Sequence, residues 1–416
     1  MNWRGLPYRL ARPGITPPPS DQQCRQQLGI PCYSPQEMWN AYDVTPVLKA
    51  GDTGKGETIA IIDSYGSPTI VNDLKTFDQG YGLPDPPSFK EVAPFGKIKY
   101  NPGVPDMVSW AIETSLDVEW AHALAPGANI LLFTSPVDET EGIQGLPEFL
   151  YMEKLAVSTY HVNIISQSWG ATENTLFTVG GRAMLNSFNS FYQQAGAAGV
   201  TVFASAGDSG VGNVDLNGHV YPFPTVNFPA SSPYVTAVGG TTLMADTHGN
   251  YQSEVVWNDG IGSATGGGVS QYFKEPSYED SLPGSDQQIL NGMRGLPDIA
   301  YNADPNTPVV IYTSFAGIPA GWGLVGGTSA GSPQWSGIIA DANQAAGHPL
   351  GFLNPMLYQI GGGPNYSNDF HDITVGNNSQ GNIQGYNATP GWDPCTGWGS
   401  PQAANLIQDL IQMAKK

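Results

Sequence analysis

Gly326-Gly327-Thr328-Ser329-Ala330-Gly331-Ser332-Pro333 is the stretch that decides how this 416-residue chain is read. The paired glycines allow a sharp turn and a close backbone approach, and the small residues after them run into a helix read over Ser336 to Ala346. Ser329 thereby stands near a helix N-terminus, where free amide groups and the helix dipole favour a neighbouring oxyanion. It is the first candidate for a nucleophile. Ser and Thr are also the ordinary caps of helices, so the octet needs companions before it carries chemistry.

A serine nucleophile needs a base, most often a His oriented by an Asp. His122, His161, His219, His248, His348 and His371 offer no such setting and read mostly as loop or helix-surface residues. The chain offers carboxyl groups instead. Glu113 and Asp117 lie four residues apart within a helix read over Ser109 to Ala125, which puts both on one face. On a solvated helix that pair would be no more than an acidic stripe. Trp110, Ile112, Leu116, Val118 and Trp120 make this helix apolar on several sides, so burial is expected, and two buried carboxyl groups must share a proton or be neutral. A third acid, Asp208, follows the apolar run Val200 to Ala204 in Ser205-Ala206-Gly207-Asp208-Ser209-Gly210. Asp-Ser-Gly is a common turn, but the carboxyl ends of strands are where α/β sheets collect catalytic groups.

Working outward, strands are read at Glu57 to Asp63, Asn129 to Phe133, Val162 to Gln167 and Val200 to Ala204. Helices alternate with them at Thr69 to Phe77, Ser109 to Ala125, Leu146 to Thr159 and Arg182 to Ala198. This alternation predicts an α/β fold with a mostly parallel central sheet, helices on both faces, and a single large domain over residues 33–416. Loops are expected to dominate 207–305; Val309 to Thr313 reads as a further strand and Pro401 to Met413 as a closing amphipathic helix. Residues 1–32, rich in Pro and Arg, read as an arm or linker, or the remnant of a pro-segment.

The balance of 16 Lys+Arg against 36 Asp+Glu, a net charge of -20, argues against nucleic acid and anionic membranes as partners. Self-repulsion of such a chain falls in acid as carboxylates take up protons. With 52 Gly, 35 Pro and 12% charged residues the composition leans to a secreted protein, whose leader would lie outside these residues. Cys24 and Cys32 are close enough to close a small loop in an oxidising compartment, leaving Cys395 over. No run is long and apolar enough to span a bilayer.

Glu113-x-x-x-Asp117, Ser205 to Gly210 and Gly326 to Pro333 occur in that order, and together they resemble the sedolisin family of serine-carboxyl peptidases, in particular its kumamolisin-like members. Tyr33 to Val44, Ser168-Trp169-Gly170, Phe228 to Thr241 and Gly351 to Tyr358 extend the resemblance from Tyr33 to the C-terminus. It implies a subtilisin-like fold, with Ser329 as nucleophile, Glu113 as general base, Asp117 as the residue that orients it, and Asp208 as a protonated oxyanion donor. Activity would be acidic, on protein or peptide substrates paired along the backbone of Ser168, Trp169 and Gly170. Asp63 would extend the hydrogen-bond network toward Trp169. The resemblance further implies one structural Ca²⁺, held by the side chains of Asp372 and Asp393 and the carbonyls of Ile373, Thr389 and Gly391. It also implies a secreted proenzyme inhibited by its own propeptide and acting as a monomer. A tripeptidyl exopeptidase of the same family, or a catalytically silent calcium-stabilised binding protein, are the alternatives.

Overall fold

In the computed structural model, residues 8–14, 17–178, 180–260 and 262–415 are described. An eight-stranded sheet runs in the order Tyr251–Val256, Thr236–Ala245, Thr201–Ser205, Ile164–Gln167, Thr58–Ser64, Asn129–Ser135, Phe89–Val92, with Ile299–Asn302 pairing beside Val238 to Thr241. All pairings are parallel except that of Tyr251–Val256. Strand Thr58–Ser64 shows why both faces must be covered: Ile59 and Ile61 enter one hydrophobic core, Ala60 and Ile62 the other. The alternating strands and helices read from the sequence are all present, with ends displaced by a few residues.

Helix Pro105–Leu124 begins with Pro at its first turn and is buried on every side from Trp110 onward, as its all-round apolar composition requires. Helix Gly331–Ala346 packs across it. A Cβ on Gly337 would sit 2.4 Å from Leu124 Cβ, so only glycine permits this approach. This helix starts five residues earlier than expected, because Pro333 is tolerated in a first turn, where its missing N–H costs nothing. His122, expected on a helix surface, is fully buried, with Nε2 2.8 Å from the Pro84 carbonyl.

Two further readings are refined. Loops do make up most of 207–305, but the segment also carries strands Thr236–Ala245, Tyr251–Val256, Gly268–Lys274, Met293–Leu296 and Ile299–Asn302, which were not expected. Its Gly and Thr content hid them, for Gly240 lies so close to Ala303 and Trp257 that no side chain fits, and packing overrides propensity. The arm is also structured where it is described. Tyr8–Pro13 pairs antiparallel with Gly321–Val325, which pairs with Val309–Thr313 in a separate three-stranded sheet. Tyr8 lays its ring over Gly323, and Ser20 caps helix Asp21–Leu28 through a reciprocal bond with Gln23. Cys24 and Cys32 are joined in a disulfide, and Cys395 is buried and free.

Candidate active site

Three parallel strands end at one corner, and each delivers a polar residue there: Asp63 in Thr58–Ser64, Ser168 just after Ile164–Gln167, and Asp208 just after Thr201–Ser205. Helix Pro105–Leu124 adds Glu113, Thr114 and Asp117, and the turn Thr328–Ala330 adds Ser329 at the mouth of helix Gly331–Ala346. The two glycines before the turn have different reasons. A Cβ on Gly326 would meet Pro305 N at 2.6 Å, while Gly327 has φ of 114°, a left-handed value that suits glycine.

The acids form a chain. Ser168 Oγ donates to Asp117 Oδ1 at 2.8 Å and lies 3.3 Å from the Ser329 carbonyl, tying Asp117 to the Ser329 turn. Thr114 Oγ1 donates to Asp63 Oδ2 at 2.9 Å. Burial pushes Asp63 up to about 7, opposed by bonds from Thr114 and from the Asp117 acid. Asp117 is raised well above the carboxylate range by burial and then by the charges of Asp63 and Glu113. Asp63 Oδ1 and Asp117 Oδ2 are buried with no hydrogen-bond partner among the described residues, and a proton shared between the two acids would relieve both. Glu113 is raised in the same way by burial, against the Ser329 hydroxyl, which favours its ionised form. Ser329 Oγ and Glu113 Oε1 are buried, and neither makes a hydrogen bond within 3.5 Å among the described residues. The Ser329 hydroxyl thus stands near enough to Glu113 to favour its charge without meeting hydrogen-bond geometry.

Asp208 is partly exposed, and its Oδ1 accepts both the Thr328 N–H at 2.8 Å and the Thr328 hydroxyl at 2.7 Å. Burial of the carboxyl raises its pKa and these two donors lower it. Its charge reaches Glu113, as does that of the buried Glu139.

The expected peptide-binding trio stands differently from the four candidate catalytic residues. Ser168, Trp169 and Gly170 are all buried, and Trp169 stacks on Phe149 with ring centroids 4.6 Å apart. Trp169 Nε1 has no hydrogen-bond partner among the described residues, so the expected link from Asp63 toward Trp169 is replaced by the bonds to Thr114 and Asp117. Thr328, Thr114, Glu139 and the Ser168 side chain were not singled out from sequence. Thr328 alone had a local signal, being the residue before the nucleophile.

At the C-terminal side, Asp393 is fully buried, with its oxygens accepting from Cys395 N at 2.7 Å, Thr396 N at 3.0 Å and Thr396 Oγ1 at 3.0 Å. Burial pushes it up to about 7. Asp372 is exposed and accepts from Tyr366 OH at 2.9 Å and from Gly391 N at 3.1 Å, which brings the two loop segments together. Among the described residues the carbonyls of Ile373, Thr389 and Gly391 accept no hydrogen bond, and no group of three or more His, Cys, Asp or Glu side chains is placed to hold a metal. Thr389, at a position read as tolerable unless φ is positive, is not among the positive-φ residues. Two carboxyl groups with free carbonyls form an all-oxygen donor set, which fits a hard cation.

Sequence and structure comparisons match this geometry to known proteins. The subtilase family (peptidase S8) model matches residues 111–356, more than half of the chain. Kumamolisin from Bacillus sp. (strain MN-32) is 36% identical over 399 residues, 95% of this chain and 66% of that protein. Human tripeptidyl-peptidase 1 is 33% identical over 319 residues, 72% of this chain and 52% of that protein. Pseudomonas sedolisin, a serine-carboxyl proteinase solved with two molecules of pseudo-iodotyrostatin, superposes with a TM-score of 0.79 at 30% identity, covering 92% of this chain and 99% of that one. The chain belongs to the subtilase family, in its sedolisin-like, kumamolisin-related branch of serine-type peptidases. It spans about two thirds of the length of kumamolisin and about half that of the human relative.

Proposed function

We propose that the chain is an acid-active serine-carboxyl endopeptidase, and the observation that carries this is the meeting at one corner of Glu113 and Asp117 from one helix, Asp208 from a strand end and Ser329 from a turn. Ser329 Oγ attacks the scissile carbonyl carbon while ionised Glu113 takes the hydroxyl proton. The carbonyl oxygen becomes an oxyanion, which neutral Asp208 and the Ser329 amide stabilise by donating hydrogen bonds. Glu113 then passes its proton to the leaving nitrogen as the C–N bond breaks, leaving the acyl group on Ser329. Water reverses the sequence: Glu113 takes its proton, hydroxide adds to the ester, and Ser329 recovers its hydrogen as the acid product leaves. Asp117, held by Ser168, keeps Glu113 aimed at Ser329.

The mechanism sets two opposed demands, an ionised Glu113 and a protonated Asp208, so activity falls when pH rises far enough to ionise Asp208. An extended substrate would pair with the main chain of Ser168 to Gly170 only where the burial of these residues is relieved. The likeness to sedolisin, a serine-carboxyl proteinase, supports an endopeptidase, while the tripeptidyl-peptidase relative supports an exopeptidase of the same chemistry; product lengths from a denatured protein separate them. Secretion, inhibition by its own propeptide and action as a monomer follow from the same family reading and from the Gly- and Pro-rich, acidic composition.

The acyl step is tested by quenching a peptide ester with acid during turnover and mapping the protein by mass spectrometry. The acyl group is expected on Ser329, and an acyl group on any other residue contradicts the assignment. Asp372, Asp393 and the three free carbonyls are proposed to hold one structural Ca²⁺, which supplies charge neutralisation for the buried Asp393 and no step of catalysis. Calcium added to chelated protein is expected to raise its melting temperature, with no such rise in Asp393→Asn; equal shifts in both would place the ion elsewhere.

A further inference from the structure

Thr328 precedes the nucleophile and is fully buried. Its N–H and its hydroxyl donate to the same oxygen of Asp208, Oδ1, at 2.8 and 2.7 Å. The direction of that hydroxyl is fixed, because Oγ1 accepts the Gly207 N–H at 3.0 Å and so points its own hydrogen at Asp208. Gly207 is in turn anchored by its carbonyl, which accepts the Gly266 N–H at 2.7 Å, and the Asp208 carbonyl accepts the Ala264 N–H at 3.0 Å. The acid is therefore held from both sides.

A neutral carboxyl group carries its proton on one oxygen, and the oxygen that already accepts two hydrogen bonds acts as the carbonyl. Asp208 Oδ2 makes no hydrogen bond among the described residues, and the side chain is partly exposed. We propose that Thr328 is a positioning residue for the oxyanion donor: by filling Oδ1 with two donors it puts the acid proton on Oδ2, the oxygen left to face the substrate carbonyl. The inference rests on the reading of Asp208 as that donor. It also explains why nucleophile and donor stay in register, since the N–H that grips Asp208 belongs to the residue next to Ser329.

Both Thr328 donors favour ionised Asp208 and oppose burial, which favours the neutral acid. Loss of the hydroxyl leaves burial less opposed, so Asp208 keeps its proton to higher pH. Of the other titratable groups at this corner, Glu113 feels the charge of Asp208, with Asp63, Asp117 and Glu139 behind it; no salt bridge among the described residues includes Asp208.

The test compares the full chain with Thr328→Val, Thr328→Ser and Asp208→Ala, using a denatured protein substrate across pH. In Thr328→Val the expected result is a kcat about tenfold lower with KM nearly unchanged. The alkaline limb of kcat/KM is expected to move to higher pH, and Thr328→Ser should restore both. A role in folding alone would move the melting temperature without moving that limb. Should the valine variant not fold, Thr328→Ala removes the hydroxyl without crowding Gly240. An unshifted limb and wild-type kcat in a folded hydroxyl-less variant, with Asp208→Ala inactive, would overturn the role of Thr328 and leave that of Asp208 standing. Full activity in Asp208→Ala would remove both.

Discussion

Asp63, Glu113, Asp117 and Glu139 lie buried within reach of one another's charge, and no salt bridge among the described residues relieves them. Groups so coupled give up protons in steps that belong to the set, since each ionisation raises the cost of the next. On the proposed mechanism a carboxyl group serves as a base without His: bonds from Thr114 and the Asp117 acid favour the first charge on Asp63, and the nearby Ser329 hydroxyl opposes the burial that keeps Glu113 neutral. Ser168, Thr114 and Thr328 are the neutral donors that apportion charge and proton among the acids. Glu113 and Asp117 were legible in sequence because helix spacing pairs them and the apolar residues around them bury the pair. Glu139 and the side chain of Ser168 were not, since they arrive from distant segments and only the folded sheet brings them close.

At the level of elements, the site depends on two helices held at close range. Helix Pro105–Leu124 carries the proposed base, Glu113, and helix Gly331–Ala346 follows the proposed nucleophile, Ser329, with Gly337 against Leu124 at their crossing. Gly337→Ala is expected to force them apart, lowering stability by about 1–3 kcal/mol. Activity should fall further than KM explains; a melting temperature and kcat equal to those of the parent would contradict this account of the crossing. The parallel α/β core was legible because its strands are apolar runs spaced by helical periodicity. Of the antiparallel sheet of Tyr8–Pro13, Gly321–Val325 and Val309–Thr313 only the last strand was, because the middle one opens Gly-Trp-Gly and the first comes from a Pro- and Arg-rich stretch. There, cross-strand packing such as Tyr8 over Gly323 supplies what local propensity lacks.

Across the whole molecule, buried acids outnumber the cations able to pair with them. Arg294 is shared between Glu279 and Asp298, but Asp341, Glu119, Glu139 and Glu153 are buried with raised pKa values, and Asp78 is pushed up to about 8 by burial and by Asp85. Such groups ionise near 4 when unfolded but keep their protons in the fold, so their stabilisation is complete in acid and is lost as pH rises through the folded values. His122 and His371, lowered to about 4 by burial, act oppositely: their contribution is present above the unfolded value and lost as pH falls toward about 4. The acids are more numerous, so the melting temperature should fall by roughly 5–10 °C between about pH 5 and about pH 8; a melting temperature that rises over that interval would contradict this balance. Acid stability and the proposed acid activity would thereby share one origin, the scarcity of buried cations. The most direct measurement is hydrolysis of a denatured protein from about pH 2 to about pH 8, for the parent chain and Ser329→Ala, with folding checked at each pH. Cleavage confined to the acidic range and abolished by the substitution is the predicted result. A rate that peaks near pH 8, or that survives loss of the Ser329 hydroxyl, would contradict the serine-carboxyl mechanism.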